Sequence, residues 1–173
     1  MSSMLMERGK YFSEWINALS MIPGYVYSIW FWKDVPLPAL SHTILCTFSS
    51  LYHLSIHYQS PRIPYFFQYD LLAQQWSCLV YTQIEWLKII LFLWMMVTGW
   101  IEPYQHRRWI IPINGITILI VSSPSIRSVI TWCLGFGCFI LHKRNVFTYP
   151  IGHAVFHLFG HLALTFYTLD VLL

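Results

Sequence analysis

The sequence has 173 residues, of which 57% are hydrophobic, 18% aromatic and only 10% charged. Soluble domains carry about 25% charged residues, so this composition excludes an ordinary soluble domain, and its hydrophobicity also excludes intrinsic disorder. The net charge of +3 comes from scattered basic residues, which argues against binding of nucleic acid. We therefore expect residues 1–173 to form a single transmembrane domain, an all-α, multi-pass bundle of transmembrane helices.

Apolar stretches of about 20 residues predict membrane spans. The first contains Pro23 and Gly24, which predict a kink, and it lacks a signal-peptide cleavage pattern, so we expect it to remain as a span. The stretch 65–101 is too long for one span, and the polar patch 81–85 predicts a split. The predicted spans are Phe12–Trp32, Leu37–His57, the two halves of Tyr65–Ile101, Trp109–Val121, Ile126–Leu141 and Thr148–Leu173.

The distribution of basic residues favours seven spans over six. Lys and Arg are enriched on the cytosolic side of a membrane. With seven spans, seven basic residues lie on the N-terminal side and three on the other side. With six spans the division is four against five, and Lys88 is left inside the membrane. We therefore favour seven spans with a cytosolic N-terminus, keep six as the alternative, and leave the organelle open.

Five polar residues inside the predicted spans are candidates for a functional site, because ionisable groups within a membrane are costly. Ser49 and His53 are four residues apart near the end of span two, and His153 and His157 have the same spacing early in span seven. Residues with this spacing share one helix face. Asp70 lies at the start of span three. With seven spans, all five residues fall at a similar depth near one face of the membrane.

Three neutral histidines with one open position are a ligand set of catalytic zinc. The sequence therefore predicts a zinc ion held by His53, His153 and His157. Bound water would become a nucleophile, Asp70 could accept its proton, and Ser49 could hold the water or a substrate carbonyl. Plainer interpretations stay open: interhelical hydrogen bonds of the histidines, pairing of Asp70 with a basic residue such as Arg62, and a Ser49 bond to its own helix.

The remaining histidines and the cysteines have simpler expected roles. We expect His161, one turn after His157, to support the ligands or to pack between helices. The cysteines form no CxxC pair, and we interpret all four as buried thiols. Solvated or interfacial positions near span ends are expected for the other histidines, namely His42, His57, His106 and His142.

The order of these motifs resembles the CREST superfamily of seven-span membrane proteins, which includes alkaline ceramidases, adiponectin and progestin receptor-like proteins and myomaker-like proteins. The shared signature is SxxxH in the second helix, an Asp in the third and HxxxH in the last. Here it corresponds to Ser49 and His53, to Asp70, and to His153 and His157. The resemblance implies that the three histidines bind zinc and that the serine and the aspartate complete the site.

Two further features bear on the subfamily. The spacing of Glu14, Asn17 and Ser20 is similar to the start of alkaline ceramidases, where the glutamate helps to bind calcium. The other acidic ligands of that calcium loop are missing before Glu14, so we do not predict calcium. The separation of 17 residues between His53 and Asp70 is closer to the myomaker-like pattern. The subfamily stays open.

Three functions are compatible with these motifs. The first is a membrane-embedded, zinc-dependent lipid hydrolase that cleaves an amide, ceramide-like, or an ester, and releases a fatty acid. The second is a non-enzymatic receptor or membrane-remodelling protein with a structural zinc site. The third is a b-type haem protein, which needs histidines on opposite helices. The spacing of His153 and His157 on one helix suits a single metal ion better.

Overall fold

The computed structural model describes residues 14–101, 110–144 and 151–173, and within these ranges the chain is helical with no strand. Residues 14–19 are helical and lead into seven further helices. These are α1 (Ile22–Phe31), α2 (Pro36–His57), α3 (Ile63–Tyr81), α4 (Glu85–Trp100), α5 (Ile110–Ser122), α6 (Ile126–Lys143) and α7 (Ile151–Tyr167), which continues as a π-helix over Thr168–Leu172. The predicted all-α fold and its seven helical segments are confirmed.

The kink predicted in the first stretch is a break in the helix. The helical turn of residues 14–19 ends at Ser20 and Met21, and α1 begins beside Pro23. Proline has no backbone N–H and favours the first turn of a helix. The amide of Gly24 donates to the carbonyl of Met21 at 3.0 Å, which leaves the Ser20 carbonyl available to another helix.

The long apolar stretch is divided where the polar patch predicted it. Helix α3 ends at Tyr81 and α4 begins at Glu85, and residues 82–84 between them are extended. The Thr82 hydroxyl accepts a hydrogen bond from the amide of Ile84 at 3.3 Å. This short polar connection reverses the chain, so that α4 packs antiparallel against α3.

Serine and proline also separate α5 from α6. Helix α5 ends at Ser122, and Ser125 is the N-cap of α6, where its hydroxyl accepts from the amide of Ser128 at 3.1 Å. Helix α6 then packs closely against α7. A Cβ atom on Gly135 would lie only 3.0 Å from the Cβ of Phe159, so the missing side chain permits the close approach of the two helices.

The packing of α1, α2 and α7 positions the candidate site. Helix α2 packs against α1 and α3, and α7 packs against α6 and α1. Aromatic side chains form the buried core at one end of the bundle, where the Tyr167 hydroxyl donates to the Tyr81 carbonyl at 2.9 Å and Tyr81 donates to Tyr27 at 2.9 Å. The histidines occupy the layer next to this core.

Among the described residues, one helix is long and apolar enough to cross a membrane, and it covers Ile151–Leu172. Helix α5 is apolar but shorter. The predicted helices are therefore confirmed. That each of them crosses a membrane is not confirmed. Large apolar side chains are nevertheless exposed, including Ile29 at 79%, Trp30 at 77% and Trp100 at 85%.

Candidate metal centre

Three predicted histidines come together between α2 and α7. One nitrogen from each of His53, His153 and His157 lies within 4.8 Å of the others. The ring centroids are 4.9 Å apart for His53 and His153, 5.1 Å for His53 and His157, and 4.6 Å for His153 and His157. His53 is 2% exposed and His157 is 9% exposed. We call these residues the three-histidine cluster.

Helix periodicity and chain direction explain the convergence. His153 and His157 are one turn apart near the start of α7, so their rings point from the same face. His53 lies in the last turns of α2, whose end is at the same level as the start of α7. The antiparallel run of the chain therefore brings the two helix ends together.

Glu14 orients the ring of His53. The Glu14 Oε2 atom is 2.6 Å from His53 Nδ1. The side-chain amide of Asn17 donates to the same oxygen at 3.3 Å. A carboxylate accepts only, so Nδ1 of His53 carries the proton and its Nε2 keeps a free lone pair. Carboxylate–histidine pairs of this kind fix the tautomer of metal ligands.

Ser20 does the same for His157. The Ser20 hydroxyl donates to the Asn17 carbonyl at 2.6 Å and lies 2.8 Å from His157 Nδ1. Because the hydroxyl proton is already used, Ser20 accepts from Nδ1–H, and the lone pair of His157 Nε2 stays free. Sequence reasoning missed these roles of Glu14 and Ser20. The spacing of Glu14, Asn17 and Ser20 was the available signal, and it had been compared only with a calcium site.

Asp70 and Ser49 lie in the same region and line the same cavity. Asp70 is 6% exposed, and its Oδ2 atom accepts a hydrogen bond from the side-chain amide of Gln74 at 3.3 Å. The other oxygen, Oδ1, has no hydrogen-bond partner among the described residues. The hydrogen-bond partner of Asp70 thus comes from its own helix α3, in place of the considered pairing with Arg62, and one carboxylate oxygen remains available.

All five predicted site residues line one cavity of about 810 Å³. Ser49, His53 and Asp70 come from α2 and α3, and His153 and His157 come from α7. The rest of the wall is mostly apolar and comes largely from α5, α6 and α7, for example Ile118, Leu119, Phe136, Phe139, Phe156 and Leu164. The arrangement places imidazole, carboxylate and hydroxyl groups at the edge of an apolar chamber.

Several other predicted positions differ in the structure. The expectation that His42 is solvated is wrong, because its side chain is 1% exposed. The expectation of four buried thiols holds for Cys46 and Cys78, whereas Cys133 is exposed and Cys138 is intermediate, and all four are free. His57 lies outside the cluster, 5.8 Å from the ring of Trp15. His106 lies outside the described residues.

The three-histidine cluster has the donor set of a metal site. Metal binding needs neutral imidazoles with lone pairs directed at one point, and the partners Glu14 and Ser20 leave such lone pairs on His53 and His157. These side chains could hold a metal ion. The identity of the ion is a matter of proposal.

Comparisons with known proteins add no family assignment. No family model, curated protein or solved structure matches this chain.

Proposed function

We propose that this protein is a membrane-embedded, zinc-dependent lipid hydrolase with the seven-span architecture of the CREST superfamily. The observation that carries the proposal is the convergence of His53, His153 and His157 beside Asp70 and Ser49 on one apolar cavity. A cluster made only for helix packing does not need a carboxylate with an unpaired oxygen next to it.

Zinc is the ion that best suits the ligands. Three neutral histidines are the ligand set of catalytic zinc sites, which keep a fourth position open. The hydrogen-bond partners of the histidines fit as well, because Glu14 and Ser20 already hold Nδ1 of two ligands and leave Nε2 for the ion. When bound, zinc supplies Lewis-acid chemistry, polarising a carbonyl and activating water as a nucleophile.

The protein side chains would divide the remaining work. Asp70, through its unpaired Oδ1, accepts a proton from the attacking water and later returns it to the leaving amine or alcohol. Ser49, which lines the same cavity, can donate its hydroxyl to the substrate carbonyl. The balance is that of hydrolysis: water is added across an amide or ester bond, and a carboxylic acid and an amine or alcohol leave.

The cavity indicates a lipid substrate. Its volume of about 810 Å³ and its mostly apolar wall suit an acyl chain, and the three-histidine cluster with Asp70 and Ser49 supplies polar groups that can hold a single carbonyl. A ceramide-like amide is the substrate that we propose, with an ester as the other cleavable bond.

The exposed surface of the helices supports the proposal of membrane integration. Helix α4 exposes a continuous set of apolar side chains, among them Trp86, Ile89 and Leu93 at 62%, 65% and 57%. Soluble monomers rarely expose contiguous apolar patches of this kind. We propose that these surfaces contact lipid, that the chain crosses the bilayer seven times, and that its N-terminus is cytosolic because of the bias in basic residues.

The competing function is a receptor or membrane-remodelling protein on the same scaffold, in which zinc has a structural role. Its site would hold zinc without turnover. The two functions differ in one measurable property, the release of fatty acid.

The test is a joint measurement of zinc content and hydrolysis on detergent-purified protein. For wild type, we expect about one zinc ion in the three-histidine cluster and release of fatty acid from a ceramide or a diacyl ester. The double variant His153→Ala/His157→Ala should lose both. The matched control is His57→Ala, which removes a histidine of α2 outside the cluster and should keep both. Zinc without fatty-acid release would favour the non-enzymatic function, and absence of zinc from folded wild type would exclude the hydrolase.

A further inference from the structure

A second group of metal-ligand side chains lies one helical turn further along α7. One ligand atom from each of His42, Cys46 and His161 lies within 4.8 Å of the others, and all three residues are buried. His42 and Cys46 are four residues apart on one face of α2, and His161 projects from α7. We call this the histidine–cysteine cluster. None of its members belongs to the three-histidine cluster.

We propose that the histidine–cysteine cluster is a second zinc site, which joins α2 to α7 in the interior of the bundle. The inference is independent of the proposed hydrolase activity, because it uses different residues and needs no turnover.

The donor chemistry supports zinc at this position. Two imidazoles and a thiolate are common zinc ligands, with distances of about 2.0–2.1 Å to nitrogen and about 2.3 Å to sulfur, so tetrahedral coordination places two ligand nitrogens about 3.3 Å apart. His42 Nε2 and His161 Nδ1 are 3.0 Å apart. A change of a few tenths of an ångström between the two rings therefore converts the present arrangement into a zinc ligand pair. The fourth position faces the cavity, since both histidines line it.

A backbone group holds His161 in the orientation that ligation needs. His161 Nε2 lies 3.2 Å from the Ser20 carbonyl oxygen. A carbonyl only accepts, so Nε2 carries the proton and the lone pair of His161 Nδ1 points toward His42. The Ser20 carbonyl is free for this role because the break before Pro23 removes it from the helical ladder. This is the usual way in which a second ligand shell fixes a histidine.

The approach of Gly24 gives an independent sign that two of the three groups, Cys46 and His161, converge. A Cβ atom at position 24 would lie 2.8 Å from His161 Nδ1 and 2.6 Å from its Cε1, and it would clash even more severely with Cys46 Sγ. The sulfur and the ring nitrogen therefore face the same small space beside the backbone of α1, which a larger residue would fill.

The hydrogen bond between the two rings does not by itself compensate for the burial of both histidines. If His42 donates through Nε2 to His161, its other nitrogen, Nδ1, has no partner in the part of the chain that the structure describes. A histidine that is 1% exposed is costly to bury for one hydrogen bond to another histidine. Coordination of an ion through His42 Nε2 would replace this single hydrogen bond with a stronger interaction, and it would leave Nδ1 as it is.

The experiment uses the intact protein in detergent, loaded either with zinc or with cobalt(II) as a spectroscopic substitute. Only the histidine–cysteine cluster contains sulfur, so thiolate-to-cobalt charge-transfer absorption reports on this site alone. We expect about two zinc ions per chain and the sulfur–cobalt absorption in wild type. Cys46→Ser should remove the absorption and one zinc ion. Cys78→Ser is the matched control, because Cys78 is also buried but belongs to another core cluster, and it should keep both.

The double variant His153→Ala/His157→Ala separates this proposal from the proposed function. This variant should lose the zinc ion of the three-histidine cluster and retain the sulfur–cobalt absorption of the histidine–cysteine cluster. Wild-type protein that shows no sulfur–cobalt absorption and no zinc beyond the three-histidine cluster would overturn the second site, and this result requires no variant to fold. Sulfur–cobalt absorption in a chain without zinc at the three-histidine cluster would support the second site and contradict the hydrolase.

Discussion

The two clusters along α7 have similar histidines but different surroundings. The three-histidine cluster lies beside Asp70 and Ser49, and its ligands are oriented by side chains, Glu14 and the Ser20 hydroxyl. The histidine–cysteine cluster has a thiol in place of the third imidazole, is oriented by a backbone carbonyl and packs against the backbone of Gly24. Each cluster offers three protein ligands, so at each a fourth coordination position stays open.

This contrast teaches that a row of histidines on one helix need not form one site. His153, His157 and His161 continue a single i, i+4 ladder, yet the ring of His157 meets α2 at His53, whereas that of His161 meets it at His42. Ser20 contacts both clusters, through its hydroxyl in one case and its carbonyl in the other. The following changes act on one cluster at a time.

The largest expected effect is that of Asp70→Asn on turnover. The amide keeps the size of the carboxylate but cannot accept a proton from water, so the rate of fatty-acid release should fall about 10²- to 10⁴-fold. Zinc content should be unchanged in both clusters, because Asp70 is not among their ligands. The exposed Asp34, changed to Asn, is the control and should retain full activity. An Asp70→Asn protein with wild-type turnover would exclude this residue as the base.

The next effect concerns the affinity of the three-histidine cluster. Glu14→Gln replaces the negative charge that faces His53 Nδ1 with a neutral amide. Loss of such a partner typically weakens metal binding about 10- to 100-fold. Zinc affinity is measured by competition with a chromophoric chelator, and the sulfur–cobalt absorption of the other cluster should stay unchanged. Glu85→Gln, which alters a carboxylate paired with Lys88, serves as the control. Equal affinities in the Glu14 and Glu85 variants would contradict the orienting role.

Gly24→Ala acts on the other cluster. The added methyl group would occupy the space faced by Cys46 Sγ and His161 Nδ1, so it should displace the second ion and abolish the sulfur–cobalt absorption. Overpacking of this kind lowers the free energy of unfolding by about 1–3 kcal/mol, which chemical denaturation in detergent can measure. Gly137→Ala is the control, since nothing lies within 4 Å of a Cβ there. A Gly24→Ala protein that binds both zinc ions and has unchanged stability would contradict the close packing of Gly24 against the histidine–cysteine cluster.

Much of the helical architecture could be predicted from the sequence, because its signals are local. Pro23 predicted the first break, the patch 81–85 predicted the division of the long stretch, and the span bounds predicted a connection between Val121 and Ile126. The meeting of His53 with His153 and His157 could also be predicted, because it depends only on which helix ends share one side of the bundle. Chain direction and helix periodicity were sufficient.

The histidine–cysteine cluster could not be predicted in the same way. His42 and Cys46 have an i, i+4 spacing, which was the local signal, but their meeting with His161 depends on the crossing and the rotation of α2 against α7. The roles of Glu14 and Ser20 depend on how the helix break before Pro23 turns residues 14–19 toward the site. Such distances between helices are set by packing of many side chains, which a single sequence does not display.

The smallest effect that we predict is the most selective. Ser20→Ala removes the hydroxyl that accepts from His157 Nδ1 but keeps the backbone carbonyl that accepts from His161. Loss of one neutral hydrogen bond is worth about 1 kcal/mol, or about a fivefold change in an equilibrium constant. Zinc should therefore bind the three-histidine cluster about fivefold more weakly, whereas the sulfur–cobalt absorption should be unaltered. Ser28→Ala, whose hydroxyl donates to the Gly24 carbonyl within α1, is the matched control. Ser20→Ala could instead weaken the binding of both zinc ions equally. The two clusters would then be coupled through more than the backbone at Ser20, and their division into separate sites would be wrong.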